Sequence, residues 1–167
     1  MLVRTLDPIE VIKLPVPAGL VLVLAQPAQR LLTLESRSVL PERVSRATAI
    51  HQMANVAAMV SACFTGDVVL FGRAIDDRIA EPARATLLPG FIDAKRAALG
   101  AGALGVSISG AGPSAFAVVS DDRIAHAVAT AMRDAYSAAG LECATRVTRV
   151  DPKGAIVTED QSTRADK

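Results

Sequence analysis

The stretch SISGAGPSAF, residues 107–116, places two glycines, a proline and three serines between two apolar runs. Gly110 and Gly112 can adopt positive φ, and they let backbone N–H groups approach a phosphate or a neighbouring segment without a Cβ in the way. Pro113 fixes φ and carries no backbone donor. The same composition suits a plain β-turn. Spacing alone therefore leaves three roles open: an anion-binding loop, a close-packed loop and a turn.

The loop differs from two common nucleotide-binding motifs. It lacks the Gly-Lys-Ser/Thr of a Walker A loop, and Pro113 stands where the helix of the dinucleotide fingerprint would begin. The loop by itself therefore predicts no particular ligand.

Two arginines have sequence surroundings that suit anion binding. Arg37 follows Thr33 by four residues, so a helix would place both on one face. Arg84 follows Glu81 and Pro82, a pair that we expect to break the chain before it. A guanidinium group donates parallel hydrogen bonds to a carboxylate and stays charged. Taken alone, however, each arginine could equally be a solvated surface charge.

The composition excludes several classes of protein. The 167 residues suit one domain, or one and a fraction, and the core must be aliphatic because only 3% of residues are aromatic. The net charge is +1, and the basic residues are scattered rather than arranged in the stripe that nucleic-acid binding requires. No apolar run reaches the roughly 20 residues of a membrane span. We therefore expect neither a nucleic-acid partner nor a membrane.

The cysteines and histidines predict no disulfide framework and no metal site. Cys63 and Cys143 are the only cysteines, which is typical of a reducing, cytoplasmic compartment. Together with His51 and His126 they lack the spacing of zinc ligands. We expect both cysteines to act as small buried hydrophobes and both histidines to lie at the surface or an interface.

The hydrophobic pattern predicts interspersed strands and helices. We predict strands at residues 1–7, 11–16, 19–25, 103–108, 115–119 and 143–150. We predict helices from a Thr33 cap to before Pro41, from Glu42 to near Gly66, at 68–75, at 91–102, and from a Ser120 cap to before Gly140. The strands at 103–108 and 115–119 form a hairpin around the glycine loop. This hairpin favours an α+β fold, an antiparallel sheet layered with helices, over a doubly wound sheet.

The longest predicted helix has apolar residues at intervals of three and four. This periodicity predicts a buried face. The face comprises Val44, Ala47, Ile50, Met53, Ala54, Ala57 and Val60, with Met59 also expected in the core.

Three quoted segments carry a family resemblance. GVSISGAGPSAFAVV, residues 105–119, resembles the C-terminal signature of the GHMP kinases. The longer segment from residue 79, beginning IAEPARATLLPGF, is similar to that of the homoserine kinases within this superfamily. VLAQPAQRLLTLESRSVLP, residues 23–41, is similar to their strand followed by a Thr-x-x-x-Arg helix and Leu-Pro. The resemblance covers about residues 1–155 and implies a ferredoxin-like GHMP kinase C-terminal domain.

The resemblance implies a function and a set of site residues. Homoserine kinases transfer the γ-phosphoryl group of ATP, with Mg²⁺, to the side-chain hydroxyl of L-homoserine in threonine biosynthesis. The homoserine side of the pocket would be formed by Thr33, Arg37 and Arg84. The glycine loop near ATP and substrate would comprise Ser109, Gly110, Ala111, Gly112 and Ser114, with a supporting and positioning role. The resemblance identifies no catalytic side chain and no metal ligand in this chain.

The sequence also departs from the family pattern. No stretch matches the family's phosphate loop, Pro-x-x-x-Gly-Leu-Gly-Ser-Ser-Ala, or the region of its Mg²⁺-binding acid. We therefore expect residues 1–18 to be a remnant of the N-terminal GHMP domain, residues 19–157 to form the C-terminal domain, and residues 158–167 to be a polar tail. We expect the chain alone to bind neither ATP nor Mg²⁺ tightly and to be catalytically silent. It should also expose an apolar face where the N-terminal domain would dock, and a homodimer is an open alternative for its assembly.

Other functions remain open at this point. The chain could belong to another GHMP small-molecule kinase, such as one acting on mevalonate or shikimate. It could be a non-catalytic α+β ligand-binding or interaction module in which the glycine loop is only a turn. It could also be a fragment without a cellular role.

Overall fold

The computed structural model describes residues 1–154 and residue 156, so the predicted tail at 158–167 lies outside the described residues. The described part contains six strands and six helices. In chain order these are β1 (Leu2–Leu6), β2 (Ile9–Ile12), β3 (Val21–Pro27), α1 (Thr33–Ser38), α2 (Arg46–Thr65), α3 (Val68–Arg73), α4 (Ala80–Ala85), α5 (Phe91–Gly100), β4 (Gly105–Ile108), β5 (Ala115–Val119), α6 (Asp122–Ala138) and β6 (Cys143–Thr148). Within this part, no helix combines the length and the apolar character that a bilayer span requires.

The strands form two antiparallel sheets. β1 and β2 pair with each other as the predicted ribbon. The remaining four strands are ordered β4-β5-β3-β6, with every neighbouring pair antiparallel. β4 and β5 are the hairpin on either side of the glycine loop, and β3 lies inside the sheet, as predicted. This strand order is that of a ferredoxin-like fold, so the predicted α+β architecture is confirmed.

The core lies between one face of the four-stranded sheet and the helices α5 and α6. Side chains alternate along β3, so that Val21, Val23 and Ala25 point inward and are almost fully buried. Small residues on α5 and α6, such as Ala94 and Ala125, let the helices approach the sheet closely. The aromatic anchor is Tyr136 on α6, whose pKa is raised to about 12 by burial and, to a lesser degree, by nearby Cys143.

The prediction that the long helix buries its apolar face was wrong for most of its length. Helix α2 begins at Arg46 after the Ser45 N-cap, rather than at Glu42, and it ends before Gly66 as expected, with Gly66 in the left-handed conformation. Its buried residues are Ala62 and Cys63, near the end that packs on α3. The exposed members of the predicted face are Val44, Ala47, Ile50, Met53, Ala54 and Ala57, whereas Met59 and Val60 are half-buried. Periodicity identifies an apolar face, but it does not say what covers that face.

Three local predictions need correction. Thr33 is the first residue of α1 rather than its cap, and no side chain caps that helix. Asp121, not Ser120, caps α6 by accepting a hydrogen bond from the Ile124 amide at 2.9 Å. The Glu81-Pro82 pair does not break the chain, because it lies in the first turn of α4, where the missing proline N–H leaves no hydrogen bond unmade.

Candidate functional site

The glycine loop, residues 109–114, is closed by its own backbone. The Ser109 amide donates to the Ser114 carbonyl at 2.8 Å, and the Gly112 amide donates to the Ser109 carbonyl at 3.0 Å. Gly110 and Gly112 have φ of 58° and 84°, a region that residues with a Cβ rarely adopt. The loop is therefore a tight hairpin turn, and both glycines are needed for its shape.

The loop still offers hydrogen-bond donors to a ligand. Within residues 1–154, the backbone amides of Gly110 and Ala111 donate no hydrogen bond, and neither do the hydroxyls of Ser109 and Ser114. The amides of Ser109 and Gly112 are used inside the loop, so they are not free to bind a phosphate. An anion at this loop would be held by the amides of Gly110 and Ala111 and by the hydroxyls of Ser109 and Ser114.

Arg84 joins the loop to two helices. It lies in the last turn of α4, half-buried. Its Nε donates to the carbonyl of Ser36 on α1 at 3.2 Å, and its Nη1 donates to the carbonyl of Gly110 at 2.8 Å. In the described part of the chain the remaining N–H groups of the guanidinium make no hydrogen bond, so they can donate to another acceptor. Arg84 is thus both a structural bridge and a cation that can still bind a carboxylate.

Ser36 makes the second connection between α1 and the loop. Its side chain is fully buried, and its hydroxyl donates to the Ala111 carbonyl at 2.7 Å. The sequence analysis missed Ser36 because a serine on an exposed helix is an ordinary residue. Its position between Thr33 and Arg37 was the one available signal.

Thr33 and Arg37 lie on the helix that these contacts hold beside the loop. Both residues are exposed, and in the described part of the chain their side chains make no hydrogen bond. The structure therefore brings Arg84 and the glycine loop into direct contact. It places α1, with Thr33 and Arg37, against the same loop through Ser36.

A buried polar cluster lies behind Arg84. Glu81, on α4, accepts a hydrogen bond from the Ser107 hydroxyl at 2.8 Å and pairs with Lys95 of α5. Glu81 is 9% exposed and Ser107 is 8% exposed. None of these three residues was assigned to the site from the sequence, because their side chains meet only in the tertiary structure. The cluster fastens α4 to β4 and α5.

The described residues contain no cluster of metal-ligating side chains. Among residues 1–154 and 156, no three His, Cys, Asp or Glu side chains are grouped so as to hold a metal ion. His51 is half-buried and pairs with Asp76 at 2.9 Å, whereas His126 is exposed. Cys63 is buried and Cys143 is half-buried, and both are free thiols.

The comparisons with known proteins identify the kind of domain that carries the glycine loop. The family model described as "GHMP kinases C terminal" matches residues 59–138, which include α4, α5 and the glycine loop. The chain contains a GHMP kinase C-terminal domain. The resemblance stated from the sequence is thereby confirmed, and the glycine loop and Arg84 lie inside the matched segment of this GHMP kinase domain.

Homoserine kinases match this chain over most of its length. The homoserine kinase of Chlorobium phaeobacteroides (strain BS1) is 47% identical over 137 residues, which are 82% of this chain and 43% of that protein. The homoserine kinase of Chlorobaculum tepidum is 41% identical over 164 residues, which are 97% of this chain and 51% of that protein. The crystal structure of homoserine kinase from Cytophaga hutchinsonii superposes with a TM-score of 0.86 at 41% identity, covering 89% of this chain and 47% of that one. The chain thus spans about half the length of the relatives it matches.

Substituting Ser36 by alanine is expected to lower the free energy of unfolding by about 0.5–1.5 kcal/mol, because the half-buried Ala111 carbonyl loses the hydrogen bond that the Ser36 hydroxyl donates. Urea unfolding of the chain measures the change in free energy. Ser38→Ala is the matched control: its exposed hydroxyl donates within α1, and we expect a change below about 0.5 kcal/mol. Equal effects of the two substitutions would contradict the assigned contact.

Proposed function

We propose that this chain supplies the homoserine-binding side and the glycine loop of a homoserine kinase. The reaction transfers the γ-phosphoryl group of ATP to the side-chain hydroxyl of L-homoserine and feeds threonine biosynthesis. The observation that carries the proposal is the Arg84 guanidinium, which holds α1 and the glycine loop together and keeps free N–H donors. The 47% identity to a homoserine kinase supports the same acceptor.

The arginines account for recognition of an amino acid. The free N–H groups of Arg84 would bind the carboxylate of homoserine, since a guanidinium donates parallel, charge-assisted hydrogen bonds to it. Arg37 and Thr33, on the helix beside the loop, would complete this side of the pocket. Because Arg84 and helix α1 both contact the glycine loop, a bound carboxylate would be held at a fixed distance from that loop.

The glycine loop would act by alignment. In phosphoryl transfer the acceptor hydroxyl releases its proton and its oxygen forms a bond to the γ-phosphorus while the bond to the ADP oxygen breaks, and the reaction depends mainly on positioning and charge stabilisation. The free amides of Gly110 and Ala111 and the hydroxyls of Ser109 and Ser114 could donate to phosphoryl oxygens. Mg²⁺ would neutralise charge on the phosphates, and the described residues contain no group of three His, Cys, Asp or Glu side chains that would hold it.

The exposed apolar side chains of α2 support a two-domain kinase. Ile50, Met53 and Val56 are 55%, 63% and 52% exposed. We propose that an N-terminal GHMP domain covers this surface, binds ATP and Mg²⁺, and includes residues 1–18, while residues 19–157 form the C-terminal domain. A cytoplasmic location is part of the proposal and is supported by the free thiols of Cys63 and Cys143.

The proposal is tested by comparing the chain alone with a two-domain chimera. The chimera joins this chain to the N-terminal half of the Chlorobium phaeobacteroides (strain BS1) homoserine kinase. We expect no turnover above background from the purified 167-residue chain and about 1 s⁻¹ or more from the chimera, a rate typical of kinases. ADP release with L-homoserine, ATP and Mg²⁺ measures both.

Other acceptors serve as the controls. Mevalonate and shikimate replace homoserine in the same assay, and turnover with either one in preference to homoserine would assign the chain to another small-molecule kinase. A folded chimera that turns over none of the three would favour the non-catalytic module. Robust turnover by the 167-residue chain alone would contradict the proposed need for a second domain.

A further inference from the structure

Helix α4 is too short to be stable without contacts to the rest of the protein. It has six residues, well below the length at which an isolated helix is stable in water. The carboxylate of Asp77 caps it by accepting hydrogen bonds from the amides of Ile79 and Ala80 at 2.7 and 2.9 Å. This cap satisfies the helix end but does not fix the helix relative to the sheet. Side chains of α4 that contact other elements must fix its position.

Glu81 ties α4 to the sheet and to α5 by polar contacts, beside the apolar packing of Ala85 on the core. Its two carboxylate oxygens have different partners: Oε2 accepts from Ser107 on β4, and Oε1 pairs with Lys95 on α5. Attachment to two elements through two atoms restricts both rotation and sliding of the helix. Arg84 lies three residues further along α4, on the same side. The direction of Arg84 therefore depends on where Glu81 holds α4.

The chemistry of the Glu81 cluster favours a positioning role over a purely stabilising one. Burying a carboxylate and an ammonium group carries a desolvation penalty, so an apolar residue would often serve stability as well or better. Ion pairs and hydrogen bonds are directional, whereas apolar contacts tolerate small slides. A directional attachment matters where a neighbouring side chain must meet two carbonyls at once, as Arg84 does.

We propose that Glu81 is a positioning residue: through Ser107 and Lys95 it holds α4 so that Arg84 bridges α1 and the glycine loop. Arg84 then orders the loop through the Gly110 carbonyl. The inference extends the proposed function, because the ligand of the free Arg84 donors is taken from it. The contact network itself is present in this chain without any substrate, and it is tested that way.

The experiment measures hydrogen exchange by NMR on the full chain without ligand. The reporter is the Arg84 Nε–H, which is protected by its bond to the Ser36 carbonyl. The variants are Glu81→Gln, which removes the charge at constant shape, and Lys95→Met, with Lys95→Arg as the conservative variant. Asp93→Asn is the matched control, since Asp93 is an exposed carboxylate that also pairs with a cation of α5, Arg96.

In Glu81→Gln and Lys95→Met we expect exchange of the Arg84 Nε–H to accelerate at least about tenfold, and that of the Ser109 and Gly112 amides to accelerate as well. Amides in the middle of α6 should stay within about twofold of the parent, which separates local release from global destabilisation. Lys95→Arg should restore most of the protection, and Asp93→Asn should leave it unchanged.

Two results would overturn the inference. One is unchanged Arg84 Nε–H exchange in Glu81→Gln, or in Lys95→Met if Glu81→Gln does not fold. The other is an equal acceleration at Arg84 and throughout α6, which would reduce Glu81 to a stabilising residue. Neither result depends on kinase turnover, so the positioning role and the proposed activity can fail separately.

Discussion

Replacing Arg84 by methionine is expected to lower kcat/KM for L-homoserine by at least about 30-fold in the two-domain chimera, because truncating one partner of a desolvated, hydrogen-bonded charge pair costs about 2–5 kcal/mol. The substitution removes the guanidinium, and with it the bond to the substrate carboxylate and the bonds to the Ser36 and Gly110 carbonyls. Steady-state kinetics with varied homoserine measures the loss. Urea unfolding of the same protein shows how much of it is a stability effect.

Two further variants make the Arg84 result specific. Arg96→Met removes an exposed arginine, which pairs only with Asp93 among the described residues, and it should leave kcat/KM within about twofold, as surface substitutions usually do. Arg84→Lys keeps the charge but not the fork of donors, so it should recover only part of the activity. If Arg84→Met kept kcat/KM near that of the parent, Arg84 would not be the carboxylate ligand.

Substituting Gly105 by alanine is expected to destabilise the domain by about 3 kcal/mol or more, because the new methyl group has no space and overpacking strains a close-packed core. A Cβ built on Gly105 would lie 2.2 Å from the Gly72 carbonyl oxygen and 2.9 Å from the Gly72 carbonyl carbon. Gly72 is equally confined, since its own Cβ would lie 2.3 Å from that of Leu104. The obstructing atoms are mostly backbone, so relief requires α3 to move away from β4. Urea unfolding measures the change.

Gly100→Ala is the matched control for Gly105→Ala. Gly100 is the last residue of α5, and a Cβ there meets no atom within 4 Å. The same substitution should therefore be neutral or stabilise by up to about 1 kcal/mol, since alanine favours the helix over glycine. Similar destabilisation by both substitutions would show that the close approach of α3 to β4 is not the cause.

Short-range patterns predicted most of the sheet and the glycine loop. Alternating or continuous apolar residues marked β3 and the β4–β5 hairpin, because a strand exposes its two faces on alternate residues. Positive φ at Gly110 and Gly112 followed from residue type, since the conformational preference of glycine is local. The end of α2 near Gly66 was predicted in the same way, from the residue type of a glycine after a helical pattern.

The failures share one cause. The apolar residues of α2 were expected in the core, yet Met53 is 63% exposed, because periodicity describes one helix and burial needs a second surface. Pro82 was expected to end a segment but lies in the first turn of α4, because proline is tolerated there as well as in breaks. In both cases the pattern allowed two structures, and contacts from distant parts of the chain selected one.

The sequence by itself determined most of the segments that form strands and helices, though not α4, and showed that two arginines and a glycine loop were the groups able to bind an anion. These properties depend on neighbouring residues, so they can be read along the chain. Only the tertiary structure decided that Ser36 and Arg84 meet at the loop, and that Glu81, Lys95 and Ser107 hold the helix that carries Arg84. These contacts join residues 14 to 75 positions apart, and the packing of helices on the sheet determines which side chains meet over such separations.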